Sequence, residues 1–468
     1  MFSADECFGG RDLNRGLELC TVVEQMYSLQ HMFKVHGDPY FLDRCERIAF
    51  NALPATLTSD MWAHQYLQQA NEITALYGQT EHVWQTDGPD STGFGVAPNF
   101  GCCTANFNQG WPKFANNIIL ESTADDGIVI ALIAPVTAKL PKATVEVVTD
   151  YPFGDDVSIS VNVTGTKDTP VHIRIPHWAT KATVDGTPAK NGTLHATTAK
   201  AGAKTVFKVE FSPEVRVETG WGSHGMSFDD VESVEDGFAH FQGALLAGGD
   251  VHEGNYTYGD AMAYCNKTPS CAAFTTHDNA KASPDKVFPT YFKEAVARNA
   301  DPAWQTFVKA SGAATMATNA ATVLRGALVY SLQLKEDIAV VKTWEPYLNT
   351  DFDITTTSTW NYALSLDEVN PSSSLKFEKA GTPGAIPFNI TGYPSVIHAT
   401  VKQLPGWTSL MNASAEPPAS PIDCATTAGG CGAEKTVLLV PHGATDLASV
   451  QAIPTTLGSS TLGMFLRH

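Results

Sequence analysis

The chain has 468 residues, 43% of them hydrophobic, and a formal net charge of −19. That length sets a prior of roughly two to four domains with ample apolar content for packed cores. The acidic balance argues against a nucleic-acid partner, which needs a basic face, and no apolar run approaches the ~20 residues of a membrane span.

Read from the N-terminus, Leu17, Cys20, Val23, Met26, Tyr27, Leu29 and Phe33 recur at helical spacing. Glu18 and Cys20 therefore fall on the first turn of a helix. Asp38-Pro39 is a helix start, and that second helix is expected to run through Ile48 toward Pro54. The polar and aromatic stretch His64-Gln65-Tyr66-Leu67-Gln68-Gln69 is expected on a helix, lining a pocket or else solvated or packing. Thr104 is placed to cap a further helix carrying Asn106, with Cys103 at its N-terminus, where the helix dipole favours thiolate. Trp111 is a buried aromatic or a sugar-stacking one. Residues 1–119 have room for about four helices of ordinary length.

From Ile118 onward the pattern turns to strands. Gly127–Ile133, Ala143–Val148 and Val157–Val163 alternate with period two between turn-rich gaps, which reads as a β-sandwich. Residues 230–312 form a separate insert, in which Cys265 and Cys271 bracket a short turn. The words Ala261-Met262-Ala263-Tyr264-Cys265 and Cys271-Ala272-Ala273-Phe274-Thr275 are similar to apple/PAN-type modules, which bind glycans or proteins; a disulfide-pinned loop domain is the alternative. Thr322 to Leu334 resumes the strand pattern, and residues 370–468, including Thr436–Val440, read as further β structure. The expected division is 1–119 helical, 120–229 sandwich, 230–312 insert, and 313–468 continuation of the sandwich with a C-terminal β region.

Nine cysteines divide by context. Cys45 reads as helical and structural, and Cys7 has no assigned partner. Cys265 with Cys271 and Cys424 with Cys431 are close pairs in loops, suggesting disulfides and an oxidising compartment. Sequons at Asn162, Asn191, Asn255, Asn266, Asn389 and Asn412 agree with secretion. No charged segment followed by an apolar one is visible ahead of Glu18.

Cys102 and Cys103 are adjacent, a spacing at which a mutual disulfide strains the intervening peptide. One reading is a pair of buried apolar cysteines. The other is a metal site, because Glu18 and Cys20 add a carboxylate and a third sulfur. Three sulfurs and one carboxylate make a four-coordinate set of the kind zinc prefers, and zinc keeps its thiol ligands deprotonated. A thiolate so formed is a competent nucleophile. No Gly-rich phosphate loop, His-Glu-x-x-His or Gly-x-Ser-x-Gly is present.

The words Glu18-Leu19-Cys20, His36-Gly37-Asp38-Pro39-Tyr40 and Asp43-Arg44-Cys45-Glu46-Arg47 precede Asn99-Phe100-Gly101-Cys102-Cys103-Thr104-Ala105-Asn106. Arg174-Ile175-Pro176-His177-Trp178, Arg325–Tyr330 and Trp360–Leu364 follow. Together they resemble glycoside hydrolase family 127, the β-L-arabinofuranosidase family, and most of all its eukaryotic and plant-type branch. The resemblance implies an α+β multidomain fold: the C-terminal part of an (α/α)6 barrel, then β-sandwich domains. It implies retaining hydrolysis of non-reducing-end β-L-arabinofuranosides or related furanosides. Cys102 would be the nucleophile, forming a thioglycosyl intermediate, and Glu6 the general acid/base, with Asp5 beside it. Zn2+ would be held by Glu18, Cys20, Cys102 and Cys103. Relatives open with a long helical region, so an N-terminally truncated member is expected.

The expected partner is an oligosaccharide or glycan, with no nucleic acid and no membrane span. An alternative keeps the zinc as a structural clip in a catalytically inactive glycan-binding protein. A thiol–disulfide redox protein is the poorer reading, since Cys-x-x-Cys is missing.

Overall fold

The structure is a computed structural model; it describes residues 16–78, 89–98, 100–221, 233–235, 237–242, 244–245, 250–268, 270–278, 285–293, 298–299, 303–309, 320–346, 348–367, 370–389, 392–406, 429–445, 448–449 and 451–454. Its architecture is mixed α+β and strand-rich. Helix α1 (Leu19–His36) buries Leu19, Val22, Val23, Met26, Leu29 and Phe33 along one face, as their spacing requires. It stops at Gly37, whose φ of 70° is left-handed and whose N–H returns to the Phe33 carbonyl. Helix α2 (Pro39–Arg47) starts on Asp38, whose carboxylate accepts from the Tyr40 N–H at 2.9 Å, with Pro39 in the first turn.

Where one helix was expected to continue toward Pro54, the backbone widens into a π turn at Ile48–Ala52 and then re-forms as α3 (Leu53–Ala55). The widened turn presents Asn51 to a distant hairpin. Its amide donates to the Ala327 carbonyl at 2.8 Å and its carbonyl oxygen accepts from the Val329 N–H at 2.7 Å. Helices α4 (Gly101–Asn106) and α5 (Gly110–Ala115) follow, linked by a short 3-10 turn.

The segment expected to be helical at 64–69 is extended instead. His64 bridges to Leu57 and Gly95, and Leu67–Gln68 pairs antiparallel with Leu17–Glu18. The polar side chains there are bonded to remote groups that a local reading does not contain. Gln68 donates to the Ala52 carbonyl at 2.9 Å, and Gln65 to the Thr92 carbonyl at 2.8 Å.

Beyond the helices, a four-stranded sheet (Thr193–Ala199, Thr169–Ile175, Ile128–Ile130, Ile119–Glu121) lies in one core with a six-stranded sheet running from Thr187–Pro188 to Val136–Lys139. Strands Ala143–Thr149 and Asp156–Val163 alternate buried and more exposed residues, the signature of a two-layer sandwich. This layer is joined to α2 by a buried charge network. Fully buried Arg174 ion-pairs with Asp43 and Glu46, and its Nε donates to the Ala131 carbonyl at 2.6 Å.

A ten-stranded sheet follows, in which strand pairings run Ala320–Arg325, Gln451–Pro454, Tyr362–Leu364, Ser395–Gln403, Glu434–Pro441, Leu328–Gln333. Strands 320–325 and 328–333 also pair through a turn at Gly326 (φ 59°), so the ring of pairings closes on itself. A separate six-stranded sheet is drawn only from residues 233–309, with α6 (Tyr258–Lys267) and its own apolar cluster. Cys265 and Cys271 form a disulfide there, with Cα atoms 5.2 Å apart. Cys431 is also disulfide-bonded, while Cys424 lies outside the described residues.

Candidate active site

Two helix starts build the site. Glu18 is the residue before α1; its side chain makes no cap to that helix, and the residue is buried. Cys20 sits one residue into the helix and is half-buried. Helix α4 begins one turn earlier than Thr104 would have capped it. Phe100 takes the cap position, so Cys102 and Cys103 both lie in the first turn and Thr104 is inside the helix. Cys103 is completely buried, whereas Cys102 is exposed.

The ligand atoms of Glu18, Cys20, Cys102 and Cys103 all lie within 4.8 Å of one another. The Cys20 and Cys103 sulfurs are 3.2 Å apart. Glu18 Oε1 lies 3.9 Å from Cys102 Sγ and 4.0 Å from Cys103 Sγ. Among the described residues this is the one such group of potential metal ligands. Glu6, expected as acid/base, and Asp5 beside it lie outside the described residues.

The extended segment 64–68 holds both halves of the site. Glu18 pairs with Leu67, and the Leu19 N–H donates to the Tyr66 carbonyl at 3.1 Å. On the other side, His64 Nε2 lies 3.1 Å from Thr104 Oγ1, one residue past Cys103. His64 Nδ1 faces the Gln65 carbonyl at 3.2 Å, so Nδ1 carries the proton and Nε2 accepts from the threonine hydroxyl. Burial holds the imidazole below its usual pKa and keeps it neutral.

The three thiols are not equivalent without a cation. Cys20 is pulled down to about 5, first by its hydrogen bond with Cys103 and, against burial, also by the Asn106 amide. Cys103 is pushed up, first by that same bond to Cys20 and then by burial. Cys102 is raised too, chiefly by burial and then by Cys20. The negative charge therefore rests on Cys20, while the exposed Cys102 stays protonated.

Two residues of the site were not singled out from the sequence. Asn106 Nδ2 donates to Cys20 Sγ at 3.2 Å, and Gln109 Nε2 donates to Asn106 Oδ1 at 2.8 Å. Their positions three and six residues past Cys103, on the face of a continuing helix, were the available signal. Trp111 is partly buried and packs against Phe50 and Phe114, with ring centroids 6.1 and 6.0 Å away.

A family model described as Beta-L-arabinofuranosidase, GH127 catalytic domain matches residues 3–116. A second, the GH127 middle domain of the same enzymes, matches residues 127–211. Among solved structures, a glycoside hydrolase is similar at 14% identity and a TM-score of 0.50, covering 95% of this chain and 53% of that one. A GH127 β-arabinofuranosidase is similar at 14% identity and a TM-score of 0.50, covering 95% and 50%. A GH127 β-L-arabinofuranosidase from Geobacillus stearothermophilus T6 is similar at 13% identity and a TM-score of 0.49, covering 95% and 51%. The chain thus spans about half the length of these structures, and the likeness at 0.50 speaks to the fold. No curated protein matches the chain. The four potential ligands and the sandwich joined to them fall inside the two matched regions, so over residues 3–116 and 127–211 the chain carries the catalytic and middle domains of glycoside hydrolase family 127, the β-L-arabinofuranosidase family.

Proposed function

We propose that the chain carries the reaction centre of a retaining glycoside hydrolase acting on non-reducing-end β-L-arabinofuranosides, with zinc as its metal. The observation that carries this reading is the convergence of Glu18, Cys20, Cys102 and Cys103 within the catalytic-domain match. The donor set fits zinc. Bond lengths of about 2.3 Å to sulfur and 2.0 Å to oxygen give tetrahedral edges of about 3.5–3.8 Å. The Cys20 and Cys103 sulfurs, at 3.2 Å, stand inside the sulfur–sulfur edge. Glu18 Oε1, at 3.9 and 4.0 Å from the Cys102 and Cys103 sulfurs, stands outside the sulfur–oxygen edge, so these donors lie within about 0.6 Å of a tetrahedral set. Helices α1 to α5 are, on this reading, the C-terminal part of an (α/α)6 barrel.

Zinc bound by these four groups would hold the Cys102 sulfur as thiolate at neutral pH, where the thiol alone stays protonated. Cys102 is the exposed sulfur and so the one that reaches a sugar. Its attack on the anomeric carbon forms a carbon–sulfur bond as the glycosidic carbon–oxygen bond breaks. The Glu6 carboxyl gives its proton to the leaving oxygen. Water then attacks the same carbon, Glu6 takes back a proton, and Cys102 leaves with the electron pair, which restores the starting configuration.

The test is hydrolysis of an aryl β-L-arabinofuranoside, with mass spectrometry of the Cys102 peptide and elemental analysis. About one equivalent of zinc per chain, a sugar adduct on Cys102, and loss of turnover in Cys102→Ala are expected. Glu6→Gln should spare sugar transfer to Cys102 from substrates with good leaving groups and slow the return step. Hydrolysis that survives Cys102→Ala ends the mechanism. Bound zinc with glycan binding but no turnover in the wild type would favour the structural-clip reading.

A further inference from the structure

Three sulfurs share the site, and only one can be the nucleophile without the others competing. Burial disqualifies Cys103, which has no exposed surface. Cys20 is different: it is only half-buried and belongs to the same cluster as the exposed Cys102. Something other than burial has to keep Cys20 unreactive. The Asn106 carboxamide is aimed at it, with Nδ2 at 3.2 Å from the sulfur. The amide is itself oriented, because Gln109 Nε2 donates to its oxygen at 2.8 Å and so forces the NH2 end toward Cys20. Among the described residues neither Cys102 nor Cys103 receives a side-chain amide. Besides the side chains of the cluster itself, they meet backbone N–H groups, that of Cys103 at Cys102 and that of Cys20 at Cys103.

We infer that Asn106, held by Gln109, is the positioning residue that restrains Cys20 as a permanent ligand and leaves Cys102 as the reactive sulfur. An N–H···S bond to a thiolate draws charge off the sulfur and lowers its nucleophilicity while fixing its direction. Groups of this kind around a metal tune it as strongly as many direct ligands do. The carbonyl end of Asn106 is taken by Gln109, so the carboxamide has one orientation and one target. This rests on the zinc–thiolate reading above and deepens it by giving each cysteine its own duty.

The experiment is timed iodoacetamide alkylation of zinc-loaded protein, read peptide by peptide in the mass spectrometer. In wild type Cys102 reacts and Cys20 lags. In Asn106→Leu, Cys20 should react roughly tenfold faster while Cys102 is unchanged, the low end of the range for one charge-assisted hydrogen bond. Gln109→Leu, on a half-buried side chain, should move Cys20 in the same direction by less, and it serves if the Asn106 variant folds poorly. A Cys20 to Cys102 ratio equal to wild type in both variants overturns the inference. So does a rise shared by all three sulfurs, which marks a loosened site. A metal-free arm separates this from the family reading. The Asn106 carboxamide resonance, assigned by its loss in Asn106→Asp, should shift in Cys20→Ser and stay in place in Cys45→Ser. Wild type that takes up no zinc defeats the proposed function, and the amide resonance then decides the Asn106 restraint on Cys20 alone: a shift supports that restraint and an unmoved signal overturns it.

Discussion

His442 sits in a short 3-10 turn, His442–Ala444, at the end of strand Glu434–Pro441. The turn lies so close to α3 that a Cβ on Gly443 would come within 2.4 Å of Pro54 Cγ. His442 is buried, and among the described residues its Nδ1 has no hydrogen-bond partner. Burial therefore pushes the imidazole from 6.5 down to about 4. At pH 7 the ring is neutral whether the chain is folded or not. As pH falls through 6.5 the unfolded chain takes up a proton that the folded protein refuses, so stability drops until about pH 4, where both forms are charged. A shift of that size corresponds to roughly 3 kcal/mol lost across the window. Urea unfolding of wild type and His442→Gln between pH 7 and pH 4 should show the variant with the flatter profile. Parallel profiles would remove His442 from the acid sensitivity of the fold.

At the scale of elements, α2 owes its place to charges that it carries into the sandwich. Arg174 is fully buried on strand Thr169–Ile175 and reaches Asp43 and Glu46, one turn apart on α2. Glu46 is otherwise satisfied by the Ile133 N–H at 2.7 Å and the Tyr151 hydroxyl at 2.6 Å. Burial still raises its pKa, with Arg174 the main opposing influence. Removing the guanidinium strands a buried carboxylate, so Arg174→Met should lose about 3–5 kcal/mol, the range for breaking a buried pair. Thermal unfolding checks this, and a melting point near wild type would show that α2 is held by apolar packing alone. Local sequence made α1 and the start of α2 legible, because a periodic apolar face, Asp38 and Pro39 act within a turn or two of themselves. It failed at 64–69, where Gln65, Gln68 and His64 bind groups more than ten residues away. It also missed the π turn, which exists to aim Asn51 at a hairpin some 280 residues on.

The same division holds for the whole molecule and its site. The four clustered side chains were readable because their chemistry is rare and their spacing specific, whereas Asn106 and Gln109 were not, since amides are common on helices and only a fold shows which one meets a sulfur. The placement of residues 233–309 follows from pairings outside them. Strand Val215–Trp221 runs antiparallel to Ala320–Arg325, and Trp221 stands opposite Ala320. The chain therefore leaves the ten-stranded sheet at Trp221 and re-enters it at the facing Ala320, as at an insertion in a hairpin. Among the described residues, the six strands of 233–309 pair only with one another, and Phe238, Phe274, Phe292 and Phe307 form a core of their own with Cys265 and Cys271. The site residues draw on α1, α4 and segment 64–68, none of which lies in that sheet. Replacing residues 222–319 by an Asn-Gly turn should therefore leave a cooperative fold, since such a turn suits two antiparallel strands whose ends already face each other. Zinc uptake should match that of the full chain, and the melting point should move by less than about 4 °C, the shift expected from roughly 1 kcal/mol in a protein of moderate size. Loss of zinc uptake, or a broad non-cooperative transition, would mean that the inserted sheet supports the site through contacts with the rest of the chain. Retained zinc with altered glycan binding would assign recognition to the insert and chemistry to the helices.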